Sequence, residues 1–345
     1  MLLLLACTGA LTPERVEPSF LKVELGAGVA TGSAEAPLAF TASGTTVDVT
    51  VQALDVNGQP YPLNGDLTLK VRPGKLDQDA VVSVKDGVWS GSVRIKSAFG
   101  PTRIWLADEG DEDVTSGRTA SHAVGLTPTL WFNLPTLAEM QRTTDTETNN
   151  LDKEFAELRV ADRRVIVVAR ETAGFWATDI DDAPGSYNNL YIYTFGRPDD
   201  ALQPGARLTL LTGNNQEYLA TTQLSFPTIT VAEGESYTVP DPVEITEQGG
   251  CAPETVESLE SARVKVQGTI PADFTADPDW ADKYYNYDEW PVQVGSCTLL
   301  IISKTSAPDF DPVANAGKAI TLYGMMKEIY GDPVVVIVNS ADLSL

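Results

Sequence analysis

The chain has 345 residues, 48 acidic against 24 basic, for a net charge of −24. A surface this negative repels phosphate backbones, whose neutralisation by Lys and Arg dominates nucleic-acid affinity, so DNA and RNA are disfavoured as partners. One histidine, His122, removes His-rich metal sites, and no HExxH, GxSxG, P-loop or CxxC motif is present. The length predicts two or three domains.

The chain opens on "MLLLLACTGA". This run is shorter than the roughly 20 apolar residues that cross a membrane, and it lacks the basic start of a full secretory signal. Leu4-Leu5-Ala6-Cys7 resembles the lipobox of bacterial lipoproteins. The resemblance implies a residual signal peptide and tether over residues 1–17, lipidation at Cys7, and a lipid-anchored protein of the bacterial cell envelope, in the outer membrane.

From residue 18 to 127 the periodicity is that of strands. Val47, Val49, Val51 and Ala53 alternate with polar neighbours, Asn57-Gly58 signals a turn, and Asp86-Gly87 signals a hairpin between 81–85 and 88–95. Short strands over about 100 residues predict one antiparallel β-sandwich. The stretches "VTVQALDVNGQPYPLNGDLTLKV" and "VKDGVWSGSVRIKSAFGPTRIWLAD" resemble the bacterial Ig-like domains of surface proteins, which act as spacers or adhesion modules.

Residues 128–150 interrupt the pattern and predict a linker with one short helix over 136–142. Beyond it the sequence repeats. Gly205, Gly213, Glu217 and Tyr218 recur in order as Gly317, Gly324, Glu328 and Tyr330, and 158–170 corresponds to 257–270. Two copies of this length predict a duplicated small β-barrel, over 151–240 and 241–345. The segment "RVIVVARETAGFWATDIDDAPGSYNNLYIYTFG…LATTQLSFPTI" resembles the OB-fold modules beside extracellular bacterial nucleases, and "CAPETVESLESARVKV" resembles the entry of a partner module. The glycine usual after "ESLE" is Ser261 here, and what the resemblance carries over is the barrel scaffold, with no nuclease active site. The expected fold class is all-β: an Ig-like β-sandwich followed by two OB-like β-barrels.

Candidate site residues follow from side-chain chemistry. OB-fold faces bind oligonucleotides or oligosaccharides by stacking on rings. Trp176, Tyr191 and Tyr193 in the first barrel, and Tyr284, Tyr285, Tyr287 and Trp290 in an expected long loop of the second, are the binding candidates. The competing reading places the same rings in cores, since strands are rich in aromatics. Asp179, Asp181 and Asp182 could offer oxygens to calcium, although Ala183 and Pro184 break EF-hand spacing, and solvated loops are the default reading of these carboxylates. Cys251 and Cys297 form a disulfide if the chain is exported and stay buried free thiols if it is not. The expected function is non-enzymatic: a cell-surface binding or scaffolding module for glycan or protein, without a cofactor. The alternative is an accessory substrate-binding subunit of an extracellular nuclease or phosphatase.

Overall fold

The alternation of Val47, Val49, Val51 and Ala53 becomes one buried face of a strand, with intermediate or exposed residues between them. The computed structural model describes residues 20–78, 80–107, 123–143, 148–151, 153–246 and 251–345. Cys7, the acidic run 108–113 and His122 lie outside the described residues. The chain divides into two units, Met1–Phe132 and Asn133–Leu345.

The first unit is a sandwich. Its strands are β1 (Phe20–Leu25), β2 (Thr45–Leu54), β3 (Gly65–Arg72), β4 (Lys75–Leu76), β5 (Val81–Val84), β6 (Val88–Lys96), β7 (Gly100–Ala107), β8 (Ala123–Val124) and β9 (Leu130–Phe132). They form two sheets, ordered β4-β6-β2-β1-β8 and β5-β3-β7-β9. Leu21, Val49, Val51 and Val93 of the first sheet share one core with Leu67, Leu69, Ile104 and Leu106 of the second. Each such side chain contributes about 1.5–3 kcal/mol by leaving water.

The turn predicted at Asp86-Gly87 is present, with Lys85 N–H donating to Val88 O at 3.1 Å and both turn residues at positive φ. It does not make a hairpin. β5 pairs with β3 and β6 pairs with β2, so the turn is a corner where the chain passes from one sheet to the other. The 128–150 segment is shared between the units. Leu130 and Phe132 belong to the sandwich core through β9, whereas α1 (Leu137–Gln141), capped by a Thr136–Glu139 capping box, opens the second unit.

The second unit contains two barrels of one topology. The first has β10 (Phe155–Glu157), β11 (Val165–Arg170), β12 (Gly174–Asp179), β13 (Asn189–Tyr193), β14 (Ala206–Tyr218) and β15 (Thr221–Ser236). The second has β16 (Val243–Ile245), α2 (Pro253–Ser258), β17 (Arg263–Thr269), α3 (Pro278–Tyr287), β18 (Glu289–Val294), β19 (Cys297–Ile302), β20 (Ala319–Ile329), β21 (Asp332–Val336) and β22 (Leu343–Ser344). In the first, β11-β12-β13 is an antiparallel meander, β13 meets β15 in parallel, β15 returns along β14, and β14 closes on β11. In the second, β17-β18-β19, β21 and β20 repeat this circuit. This five-strand order, 1-2-3-5-4 closing on 1, is that of the OB barrel.

The sequence repeat thus marks equivalent strands, β14 and β20. Its glycines have a steric reason. A Cβ on Gly213 would lie 2.6 Å from Leu224 Cγ and 2.8 Å from Ser225 O; one on Gly324 would lie 2.5 Å from Val335 Cγ1 and 2.7 Å from Val336 O. Each glycine lets the fourth strand lie tightly against the fifth. The two cysteines form a disulfide, Cys251–Cys297, with Cα atoms 5.6 Å apart, which ties the approach to α2 to the start of β19. In the chain-entropy account a loop of this length contributes about 4 kcal/mol.

Candidate functional site

The aromatic face nominated in the first barrel is already occupied. Trp176 on β12 and Tyr191 on β13 are 0% and 4% exposed. They share a cluster with Val168 and Ala169 of β11 and with Met325 of the second barrel, and Val336 packs against it. A register shift between Val167 and Ala169 interrupts the β11–β12 ladder at this point. The Lys327 ammonium lies 4.3 Å from the centroid of the Tyr191 ring and 5.9 Å from that of Trp176. The Tyr191 hydroxyl donates to Glu171, and burial followed by that carboxylate pushes the phenol well above its ordinary value. Burial likewise lowers the Lys327 ammonium, while Glu171 and Glu260 pull it back up. The face that could stack on a ligand is therefore the seat of the second barrel. Alternation along β12 and β13 identifies which rings share a face; it carries no information about what covers them.

In the second barrel the expected loop is a helix. Asp277 caps α3, accepting from Asp279 N–H at 2.9 Å, and Pro278 takes its first turn. The Asp-Pro pair is a helix-start signal that overrides the expected long loop. Tyr284 packs edge-on against Phe274 with centroids 5.5 Å apart, while Tyr285 and Tyr287 are exposed. Trp290 belongs to the barrel core at 1% exposure, its indole N–H donating to Ser303 Oγ at 3.0 Å. The four nominated rings of 284–290 thus form no common face.

The aspartate loop is matched by arginines. Arg163 bridges Asp179 and Asp182, the latter at 2.7 Å, and Arg164 holds Asp181 at 2.6 Å. These guanidiniums take up the oxygens that a calcium ion would require. Among the described residues, no group of three or more His, Cys, Asp or Glu side chains could hold a metal ion.

Sequence reasoning did not anticipate a carboxylate cluster at the junction of the barrels. Glu260 is 2% exposed and accepts the Thr222 N–H at 2.9 Å, while Glu217, Glu257 and Glu328 lie close enough to interact with it electrostatically. Burial first, then Glu217 and Glu257, hold its carboxyl well above the ordinary carboxylate range. The protonated form is thus favoured in the fold. Its contribution to stability is complete below the unfolded carboxylate value and is lost as pH rises through the folded one. Thermal unfolding from about pH 5 to about pH 8 is expected to show a steeper fall in Tm for the natural chain than for E260Q. Equal slopes would remove Glu260 as the cause.

The face of Trp176 and Tyr191 continues outward through Tyr193, which packs half-buried against their cluster. Tyr193, Phe195 and Phe226 form a ladder, with ring centroids 4.5 and 4.6 Å apart. Phe195 is 53% and Phe226 68% exposed, and both sit at positive φ, +62° and +51°. Bulky side chains rarely adopt that backbone region, and exposed rings held there mark a candidate contact surface. Beside the ladder, a groove of about 950 Å³ runs between the 197–204 loop and the outer part of β15. Phe195 follows Tyr193 at period two, so the sequence reaches it. Phe226 comes from β15, and only the pairing of β13 with β15 brings it alongside.

No family model, curated protein or solved structure matches the chain.

Proposed function

We propose that the chain is a non-enzymatic binding module of the bacterial cell envelope, lipid-anchored through Cys7, which holds a protein partner on the outer face of its first barrel. The observation that carries this reading is the exposed Tyr193–Phe195–Phe226 ladder beside an open groove. Aromatic anchors next to an apolar cleft are the usual energetic centre of a protein contact. The rings tilt by 50° and 42° against one another, which presents edges and not the single flat platform on which a sugar ring stacks. The Cys251–Cys297 disulfide fits an oxidising compartment outside the cytoplasm. The sandwich, which follows the anchor in the chain and resembles Ig-like spacer modules, fits this reading, and the net charge of −24 keeps phosphate chains away.

The test is binding of the purified chain to isolated bacterial envelopes, compared with the F195A/F226A double variant. Both rings are exposed, so the variant keeps its fold, checked by circular dichroism. Envelope binding is expected to fall by about tenfold or more. Undiminished binding would overturn the assignment of this face.

A further inference from the structure

Strand β15 outruns one of its two neighbours. β13 pairs with it from Tyr191 opposite Gln223 to Tyr193 opposite Ser225, whereas β15 continues to Ser236. From Phe226 onward, β14 is its sole strand neighbour among the described residues. Past Tyr193 the chain leaves the barrel wall as the loop that leads to β14, and the space between that loop and β15 is the groove of about 950 Å³. One wall of the groove is therefore an unpaired strand edge, bulged where its register on β14 shifts, with backbone donors and acceptors open to another strand.

The side chains around this edge select what could pair with it. Ile229 and Val231, at alternate positions and half-buried, line the groove with Leu202 and Pro204. Arg197 is engaged by Asp200, and Glu235 by Arg207. Asp199 and Glu233, also in the lining, form no salt bridge among the described residues. Pro227 has no N–H to offer, so pairing starts at Thr228; it runs regularly to Val231 and then through a bulge, where the register on β14 shifts, to Glu233. That stretch accommodates a strand of roughly six residues, about 20 Å long.

We propose that the free edge of β15 takes an extended peptide segment of alternating apolar and basic residues as an added strand, in the place that β13 vacates. Apolar side chains of the segment enter between Leu202 and Ile229, and its basic ones meet Asp199 and Glu233. Main-chain pairing supplies affinity and the alternating pockets supply selection. The inference rests on the binding reading above and narrows it to one partner chemistry.

The experiment titrates the full chain into a fluorescein-labelled octapeptide of alternating valine and lysine, read by anisotropy, with amide exchange recorded on the complex. Saturable binding is expected, with slowed exchange within 228–233. Methylating alternate backbone nitrogens of the peptide keeps its charge and side chains but removes donors along one edge, and is expected to weaken binding by about tenfold. The D199K/E233K variant, changed only at exposed positions, is expected to weaken it comparably. Absence of saturable binding would overturn the inference. So would equal binding of the methylated peptide, which indicates adsorption to an acidic surface. Saturable binding of a cello-oligosaccharide, protecting 228–233 where the peptide does not, would also overturn it and make the groove a sugar site. Loss of envelope binding in F195A/F226A without peptide binding would leave the binding reading standing while strand addition falls.

Discussion

Trp290→Ala is expected to destabilise the second barrel by about 3–5 kcal/mol, the range for removing a large aromatic from a packed core. The indole is 1% exposed, stacks near Phe310 at 5.4 Å, and donates to Ser303 Oγ. Truncation therefore opens a cavity and strands a buried hydroxyl, and the surrounding strands can collapse into the space only in part. The disulfide at Cys251–Cys297 crosses the same core and keeps the loop between its ends closed as it loosens. Chemical denaturation followed by tyrosine fluorescence would measure the loss. A cost below about 1 kcal/mol would contradict the burial argument. Any accompanying loss of ligand binding would report unfolding and not a lost contact, so Trp290 cannot serve as a probe of a binding face.

The reading of Trp290 shows where local pattern stops being informative. Period-two alternation assigned the strands of both units, and the glycine repeat located equivalent strands of two barrels because each glycine answers a close strand crossing. Those features depend on backbone geometry, which neighbouring residues determine. Whether a ring on a strand faces core, solvent or another domain depends on partners far away in sequence. Trp176 and Tyr191 share a face because the β12–β13 pairing sets them opposite one another, but Met325 and Lys327 cover it from more than a hundred residues downstream. The same limit hid the carboxylate cluster around Glu260, which draws residues from β14, α2 and β20 to one point. It also hid the free edge of β15, since strand length is readable in sequence and the shortness of a neighbour's pairing is not.

Trp176→Ala is expected to cost a similar amount, about 3–5 kcal/mol, but with a different signature. Trp176 is fully buried, yet its cluster is shared between barrels, joining Val168, Ala169 and Tyr191 to Met325. Its removal opens the contact without touching the core that contains Val264, Val292, Leu299 and Leu322. The Lys327 ammonium also loses one of the two rings over which it sits, a contact of about 0.5–2 kcal/mol where water is excluded. Among the described residues, the bonds that remain across the junction include Tyr330 N–H to Leu219 O at 3.0 Å, Tyr187 N–H to Ser258 O at 3.1 Å, Thr222 N–H to Glu260 at 2.9 Å and the Thr221 hydroxyl to Glu328 O. Hydrogen bonds of this kind contribute about 1 kcal/mol each and cannot hold two barrels in register once the apolar seat between them is hollow. Coupling between the barrels should therefore weaken before either barrel melts. Denaturant titration is expected to resolve two transitions in Trp176→Ala where the natural chain shows one for this unit, with the second barrel keeping its own midpoint. A single transition shifted by less than about 1 kcal/mol would mean that the barrels are held together by something other than this cluster. If the two transitions do appear, the face bearing Tyr191 becomes reachable by solvent only in the uncoupled state, so ligands of the intact protein must be sought at the Tyr193–Phe195–Phe226 ladder.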